Sequence, residues 1–176
     1  MTDQEIRKPL DKISKSSGIS AGWLALIIAF VVIIADQTLK IWIKTNFYIG
    51  EDYEIFRWFH IKFIENNGMA FGLELWNKLV LTFGRIIAVA LFVWFIIKVK
   101  YIKGIRKGFI VAVALIAAGA AGNIFDCVFY GKIFNNPMPP QVAEIFPADG
   151  GYAGWFEGKV VDMLYFPFFD FYWPEW

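Results

Sequence analysis

The chain has 176 residues, of which 58% are apolar and 19% aromatic, and its net charge is +1. The apolar share exceeds the roughly 45–50% of an ordinary soluble domain, and no nucleic-acid-binding pattern accompanies it. One cysteine excludes an intrachain disulfide. With one histidine beside it, the chain is poorly supplied for a zinc site, which takes three or four protein ligands, so no metal and no cofactor are expected.

Residues 1–20 carry Arg7, Lys8, Lys12 and Lys15 and read as a cytoplasmic tail under the positive-inside rule. Residues 21–44 (AGWLALIIAFVVIIADQTLKIWIK) form the first of three stretches long and apolar enough to cross a bilayer, which takes about 20 residues as a helix. This stretch is too long for a cleaved signal peptide, and no small-residue cleavage site follows it.

Residues 46–76 then lie outside the cell membrane. In RWFHIKFIENNGMAFG, Phe59, Ile61 and Phe63 alternate with Trp58, His60 and Lys62, the period of a half-buried strand. Asn66-Asn67-Gly68 reads as a turn, with Met69-Ala70-Phe71 returning as a second strand. The competing expectation is an irregular loop anchored by aromatic side chains.

The second span is 77–97, followed by a cytoplasmic loop, 98–107, rich in Lys and Arg. The third span is 108–128. Its Ala114, Ala118 and Gly122 recur every four residues beside Ala117 and Ala121, a stripe that lets helices approach closely. Asp126 continues that stripe and should therefore face protein. Residues 129–176 return to the outside, with 131–157 read as a loop from its Pro, Gly and Asn content. The aromatic FPFFDFYWPEW at the end suits the membrane–water interface. The expected fold class is thus an all-α polytopic membrane protein of three transmembrane helices with a small extracytoplasmic β-sheet.

Asp36, Lys40, Arg85 and Asp126 lie within or at the ends of these spans, where ionisable groups normally face the bundle interior or a water-filled site. Counting helical rise puts Asp36 and Arg85 each about 12 Å from the outer end of its span, and Asp126 about 27 Å along an outward helix. The polar groups converge on the outer half of the membrane. Asp36 and Lys40 are also an i, i+4 pair that could do no more than neutralise each other, and Arg85 is a candidate partner for Asp36 or Asp126. Cys127 with His60 does not make a protease pair, because His60 sits on the expected strand and no third group orients it.

Four motifs, DQTLK (36–40), ENNGMAFG (65–72), GNIFD (122–126) and VVDM (160–163), in this order, closely resemble those of the prolipoprotein signal peptidases, or signal peptidase II family. The resemblance runs from about residue 23 to the end of the sequence, and the 131–157 loop and VVDMLYFP look most like the Bacteroidetes forms. It implies an aspartyl endopeptidase of the bacterial inner membrane that removes signal peptides from diacylglyceryl-modified prolipoproteins, cutting before the lipid-bearing cysteine. By the same resemblance, Asp162 is the first of two catalytic aspartates. Asn123 and Asp126 shape the site, Asp36 and Lys40 belong to the first-helix motif, and Asn67 and Gly68 lie in the segment lining the substrate cradle. A monomer in contact with membrane lipids, inhibited by globomycin-type cyclic peptides, is expected.

Two departures stand out. Cys127 occupies the place where the family often has arginine. The family's second catalytic aspartate, in a Phe-Asn-X-Ala-Asp motif opening a fourth helix, has no counterpart before Trp176. Ala148-Asp149 precedes Val-Val-Asp and does not match it. The expectation is therefore a natural chain that continues past Trp176, and an inactive 176-residue form. The rival function, a transporter or proton-relay subunit, would use the same intramembrane charges but needs a path open to both sides.

Overall fold

The computed structural model describes residues 21–67, 78–98 and 105–167. Three long helices, α1 (Ala21–Lys44), α2 (Lys78–Lys98) and α3 (Lys107–Phe125), carry the apolar runs. Gly22–Lys44, Val80–Lys98 and Lys107–Ile133 are each long and apolar enough to span a membrane. The third extends past residue 128 because α3 does not stop at Phe125. It widens into a π-helical turn, Asp126–Tyr130, and closes with a short α4, Gly131–Ile133.

The sheet has three strands in the order β1 (Asp52–Phe56), β2 (Phe59–Asn66) and β3 (Val160–Tyr165), all antiparallel. The alternation around Phe59–Phe63 does mark a strand, and Phe63 is its fully buried member. Its partners differ from those expected from the sequence. The tight turn falls at Arg57-Trp58, before β2, and the other neighbour is the Val-Val-Asp segment, drawn in from nearly a hundred residues downstream. Gly68 and the expected return strand at Met69–Phe71 lie outside the described residues.

Two apolar cores flank a polar middle. One joins Ala25 of α1, Ile96 of α2 and Ile110, Val113 and Ala114 of α3. The other, at the opposite end, packs Ile43, Phe63, Tyr130, Phe134, Ala143 and Val161, so it fastens the sheet to the helix ends. Between them the small-residue stripe of α3 is buried, and a Cβ on Gly122 would collide with the Asp36 carboxylate. Absence of that atom is what lets α1 and α3 close on each other.

The loop after α4 is tied down at both ends. Lys44, at the end of α1, is fully buried in an ion pair with Glu65. Its ammonium lies 5.6, 5.2 and 5.4 Å from the ring centroids of Phe63, Phe134 and Tyr152, contacts that favour a desolvated cation. Lys159 reaches the same Glu65 at 3.3 Å. Further on, residues 153–158 run back along the π-turn as a backbone splint. The N–H groups of Ala153, Phe156 and Gly158 donate to the carbonyls of Gly131, Val128 and Cys127 at 2.9, 3.3 and 2.9 Å. A π-turn leaves carbonyls outside the regular helical ladder, and here a second segment satisfies them.

Gly158 is in contact with that backbone: an added Cβ would strike the carbonyl oxygen of Asp126 and lie 3.0 Å from that of Cys127. Neither atom can swing aside, since both belong to main chain. Gly158→Ala is therefore expected to cost on the order of 1–3 kcal/mol, read as a lowered Tm in detergent. Gly119→Ala, whose new methyl meets no described atom within 4 Å outside its own stretch of helix, should leave Tm unchanged or raise it.

Candidate active site

The centre of the site is a buried polar knot between α1 and α3. Asp126 is 0% exposed and Lys40 3%. The Lys40 ammonium donates to Asp126 Oδ2 at 2.7 Å and to Asn123 Oδ1 at 2.9 Å, and it lies 3.3 Å from Asp36 Oδ2. Three donors meet three acceptors. A charge in a dry interior is tolerated only when paired and fully hydrogen-bonded, and that condition is met here. The i, i+4 contact of Asp36 and Lys40 exists, but the shorter bond goes to Asp126, so Lys40 joins two helices rather than decorating one.

Gln37 completes the knot. The two hydrogens of its Nε2 are shared among three acceptors, Asp126 Oδ1 at 2.9 Å, Asp36 Oδ2 at 3.1 Å and the Gly122 carbonyl at 3.2 Å. Its Oε1 accepts the Tyr130 hydroxyl at 3.0 Å. Both oxygens of Asp126 are thus occupied, and Oδ2 also accepts the backbone N–H of Val161 at 3.2 Å. That last bond is the link to chemistry, because Val161 is the residue before Asp162 on β3. Alternation along a strand sends neighbours to opposite faces. Val161 is buried on the knot and Asp162 is exposed.

A β-bulge sets which way Asp162 faces. The β2–β3 ladder pairs Ile61 with Leu164, then slips by one residue so that Ile64 pairs with Asp162. An unbroken ladder would pair Asp162 with Phe63, which is fully buried. Because a one-residue slip exchanges faces, the bulge keeps the carboxylate off the buried side; bulges recur beside active sites for this reason.

On the open face, Asn66 Nδ2 donates to Asp162 Oδ2 at 3.1 Å. Although Asp162 reaches solvent, the protein around it withdraws enough water to push its carboxyl above the ordinary value. The Asn66 hydrogen bond and the charges of Lys40 and Arg85 pull the other way without cancelling the shift.

Of the residues singled out from sequence, Asp36, Lys40, Asn123 and Asp126 converge in the knot. Asp162 stands one residue beyond it. Asn67 is exposed just after β2, and Gly68 is outside the described residues. Arg85 donates to the sulfur of buried Cys127 at 3.7 Å, placing its guanidinium at the start of the π-turn. His60 pairs with Asp52 across β1 and β2 at 2.8 Å, away from Cys127's helix. Gln37, Tyr130 and Asn66 were missed. Gln37 was legible as the amide between two charges of one motif. Asn66 would have been chosen over Asn67 had β3 been known to pair with β2, since Asn66 and Ile64 share the Asp162 face by strand period.

The knot yields a prediction. Lys40→Met leaves Asp126 buried without its cation, which should cost on the order of 3–5 kcal/mol. Lys40→Met combined with Asp126→Leu removes both charges and should recover a large part of that loss. Chemical or thermal unfolding of the two variants in detergent checks it; a double variant no better than the single one would show that the pair is not coupled.

Comparison with known proteins bears on all of this geometry. A family model described as Signal peptidase (SPase) II matches residues 28–176. A lipoprotein signal peptidase of Porphyromonas gingivalis is 39% identical over 160 residues, 91% of this chain and 70% of that protein. One from Amoebophilus asiaticus is 34% identical over 88% of this chain and 64% of its own length. Two solved structures described as bacterial membrane enzymes, determined in meso at 2.3 and 1.9 Å, superpose with TM-scores of 0.59 and 0.56 at 26% and 27% identity. Each covers 86% of this chain, and 75% and 79% of the solved chains are matched. The chain belongs to the signal peptidase II family.

Proposed function

We propose that Asp162 is one of the two carboxylates with which this membrane aspartyl endopeptidase removes the signal peptide of diacylglyceryl-modified prolipoproteins, cleaving before the lipidated cysteine. The observation that carries the assignment is the contrast between the two aspartates at the sheet end. Asp126 has both oxygens bound, to Lys40, Gln37 and the Val161 N–H, and is fully buried, so it is closed to solvent. Asp162, held one residue away, presents its carboxylate on the open face with, among the described residues, one side-chain donor, Asn66.

Hydrolysis by a carboxylate pair requires one member to take a proton from water while the other, protonated, polarises the scissile carbonyl. Lost solvation raises the Asp162 carboxyl above its ordinary value, the direction that favours holding a proton. Asn66, with its amide on Oδ2, orients Asp162 and leaves Oδ1 for the reaction. The role of partner is assigned to the aspartate that the family carries after its Val-Val-Asp segment, since Asp126 is committed to the knot. Asp36, Lys40, Asn123 and Asp126 are positioning residues in this reading. Asn67 and Gly68 are assigned to the substrate cradle.

The substrate would arrive laterally, because its acyl chains and signal helix both lie in lipid. The Lys- and Arg-rich tail and inner loop favour an N-terminus in the cytoplasm and a site on the far side of the inner membrane. A monomer and inhibition by globomycin-type peptides complete the proposal. The transporter reading finds no support: the polar groups described form a saturated knot toward one end of the spans rather than a path through them.

Two outcomes are expected. In a form of the protein with cleavage activity, Asp162→Asn abolishes cleavage of a lipidated precursor peptide in detergent, against a globomycin-inhibited control, while Asp126→Asn retains part of it; a reversed ranking would move the catalytic assignment to Asp126. Stability should move with the opposite sign. A carboxyl whose folded pKa is raised adds stability that is complete below its unfolded pKa and is lost as pH rises through the folded one. At neutral pH, Asp162→Asn should therefore have the higher Tm, and the gap should close as pH falls below the ordinary carboxylate value. Equal Tm at both ends of that range would contradict the raised pKa.

A further inference from the structure

We propose that residues 153–158 form a re-entrant element that dips into the leaflet on the sheet side, with the Trp155 indole seated at the boundary between headgroups and acyl chains. The inference needs α2 and α3 to span the membrane and does not need the peptidase reading.

The depth follows from what the segment touches. The Phe156 ring stacks on Phe83 with centroids 6.0 Å apart and planes at 19°. Phe83 lies five residues inside α2 from Lys78, about 7–8 Å below the helix end at 1.5 Å per residue. The Trp155 ring meets Phe129 edge to face at 5.8 Å. Phe129 precedes the end of the third span, Ile133, by four residues, or about 6 Å of rise. Phe129 in turn packs on Phe125 at 4.7 Å, which continues the line of rings toward the interior of the span. Both anchoring rings belong to membrane-crossing helices and both are partly open outward, Phe83 by 52%. Trp155, 58% exposed, extends that same apolar surface. What covers it is what covers the spans.

Non-helical backbone is tolerated at membrane depth only where its polar groups are bonded to protein. The N–H groups of Ala153, Phe156 and Gly158 are bonded to the carbonyls freed by the π-turn and α4, and the Gly154 N–H is bonded to Glu157 Oε2 at 2.7 Å. Phe156 holds a φ of 65°, a conformation a bulky residue rarely adopts; here it accompanies the ring's stack on Phe83. Glu157 is exposed beside Trp155, which sets a limit: a carboxylate belongs with headgroups, while an indole suits the interface. The segment leads directly through Gly158 into β3, so its depth also fixes the height of Asp162 above the bilayer.

The test is made in vesicles of phosphatidylethanolamine and phosphatidylglycerol. A nitroxide is placed by Trp155→Cys, with Phe83→Cys and Asp149→Cys as references, each with Cys127→Ser, and the buried Cys127 of the unaltered protein serves as the labelling control. Collision with oxygen relative to a water-soluble nickel chelate should be several-fold higher at 155 than at 149 and close to the value at 83. In the unaltered protein, a phospholipid carrying a carbene precursor on its acyl chain should label the peptide containing 153–158. A ratio at 155 equal to that at 149, or no labelling of that peptide while α2 is labelled, overturns the proposal.

Discussion

The arrangement hangs on one buried bond, that of Lys40 to Asp126. It joins the first and third spans at a depth where neither charge could remain alone, and the same Asp126 oxygen accepts the N–H of Val161. Strand β3 is therefore registered against a helix pair by a charged acceptor rather than by apolar packing alone. Apolar contacts leave a strand free to slide; a hydrogen bond to an ion is directional and short-ranged. The proposed catalytic residue inherits its position from this bond, one peptide unit away.

Two irregularities make that geometry possible. The π-turn at Asp126–Tyr130 widens the third span where it meets the knot, bringing Asp126, Cys127 and Tyr130 into the interior together. The bulge in β2 sets the face on which Asp162 emerges. Regular elements would have sent one of these groups to lipid or to the core. The buried Lys44–Glu65 pair and its aromatic cage hold β2 and the loop after α4 to the end of α1.

Much of this was legible in the sequence because membranes impose simple rules. About 20 apolar residues identify a span, and helical rise places charges by depth. The stripe Ala114–Ala118–Gly122 correctly turned Asp126 toward protein. What escaped was whatever depends on a departure from a period or on a distant partner. Strand β1 is exposed along its whole length, so the short alternation of Asp52-Tyr53-Glu54-Ile55 marks no buried face. The β3 partner of β2 is remote in sequence, and no local signal points to it. The π-turn has no signature in residue type, and no local pattern joins Lys44, at the end of the first span, to Glu65 on β2.

The π-turn also makes the third span intolerant of changes in length. Each helical residue turns the chain by about 100° and lifts it by about 1.5 Å. Deleting one residue between Asn123 and Tyr130 would rotate the Tyr130 hydroxyl away from Gln37 and carry the Gly131 carbonyl out of reach of Ala153. An added residue would do the same in the other sense. Side chains at these positions can be exchanged within limits, but their number cannot. Residues 147–150, which run through exposed Ala148 and Asp149 to Gly150, are under no such phase constraint. Residues added or removed at that outer turn would leave the angular setting of the span untouched.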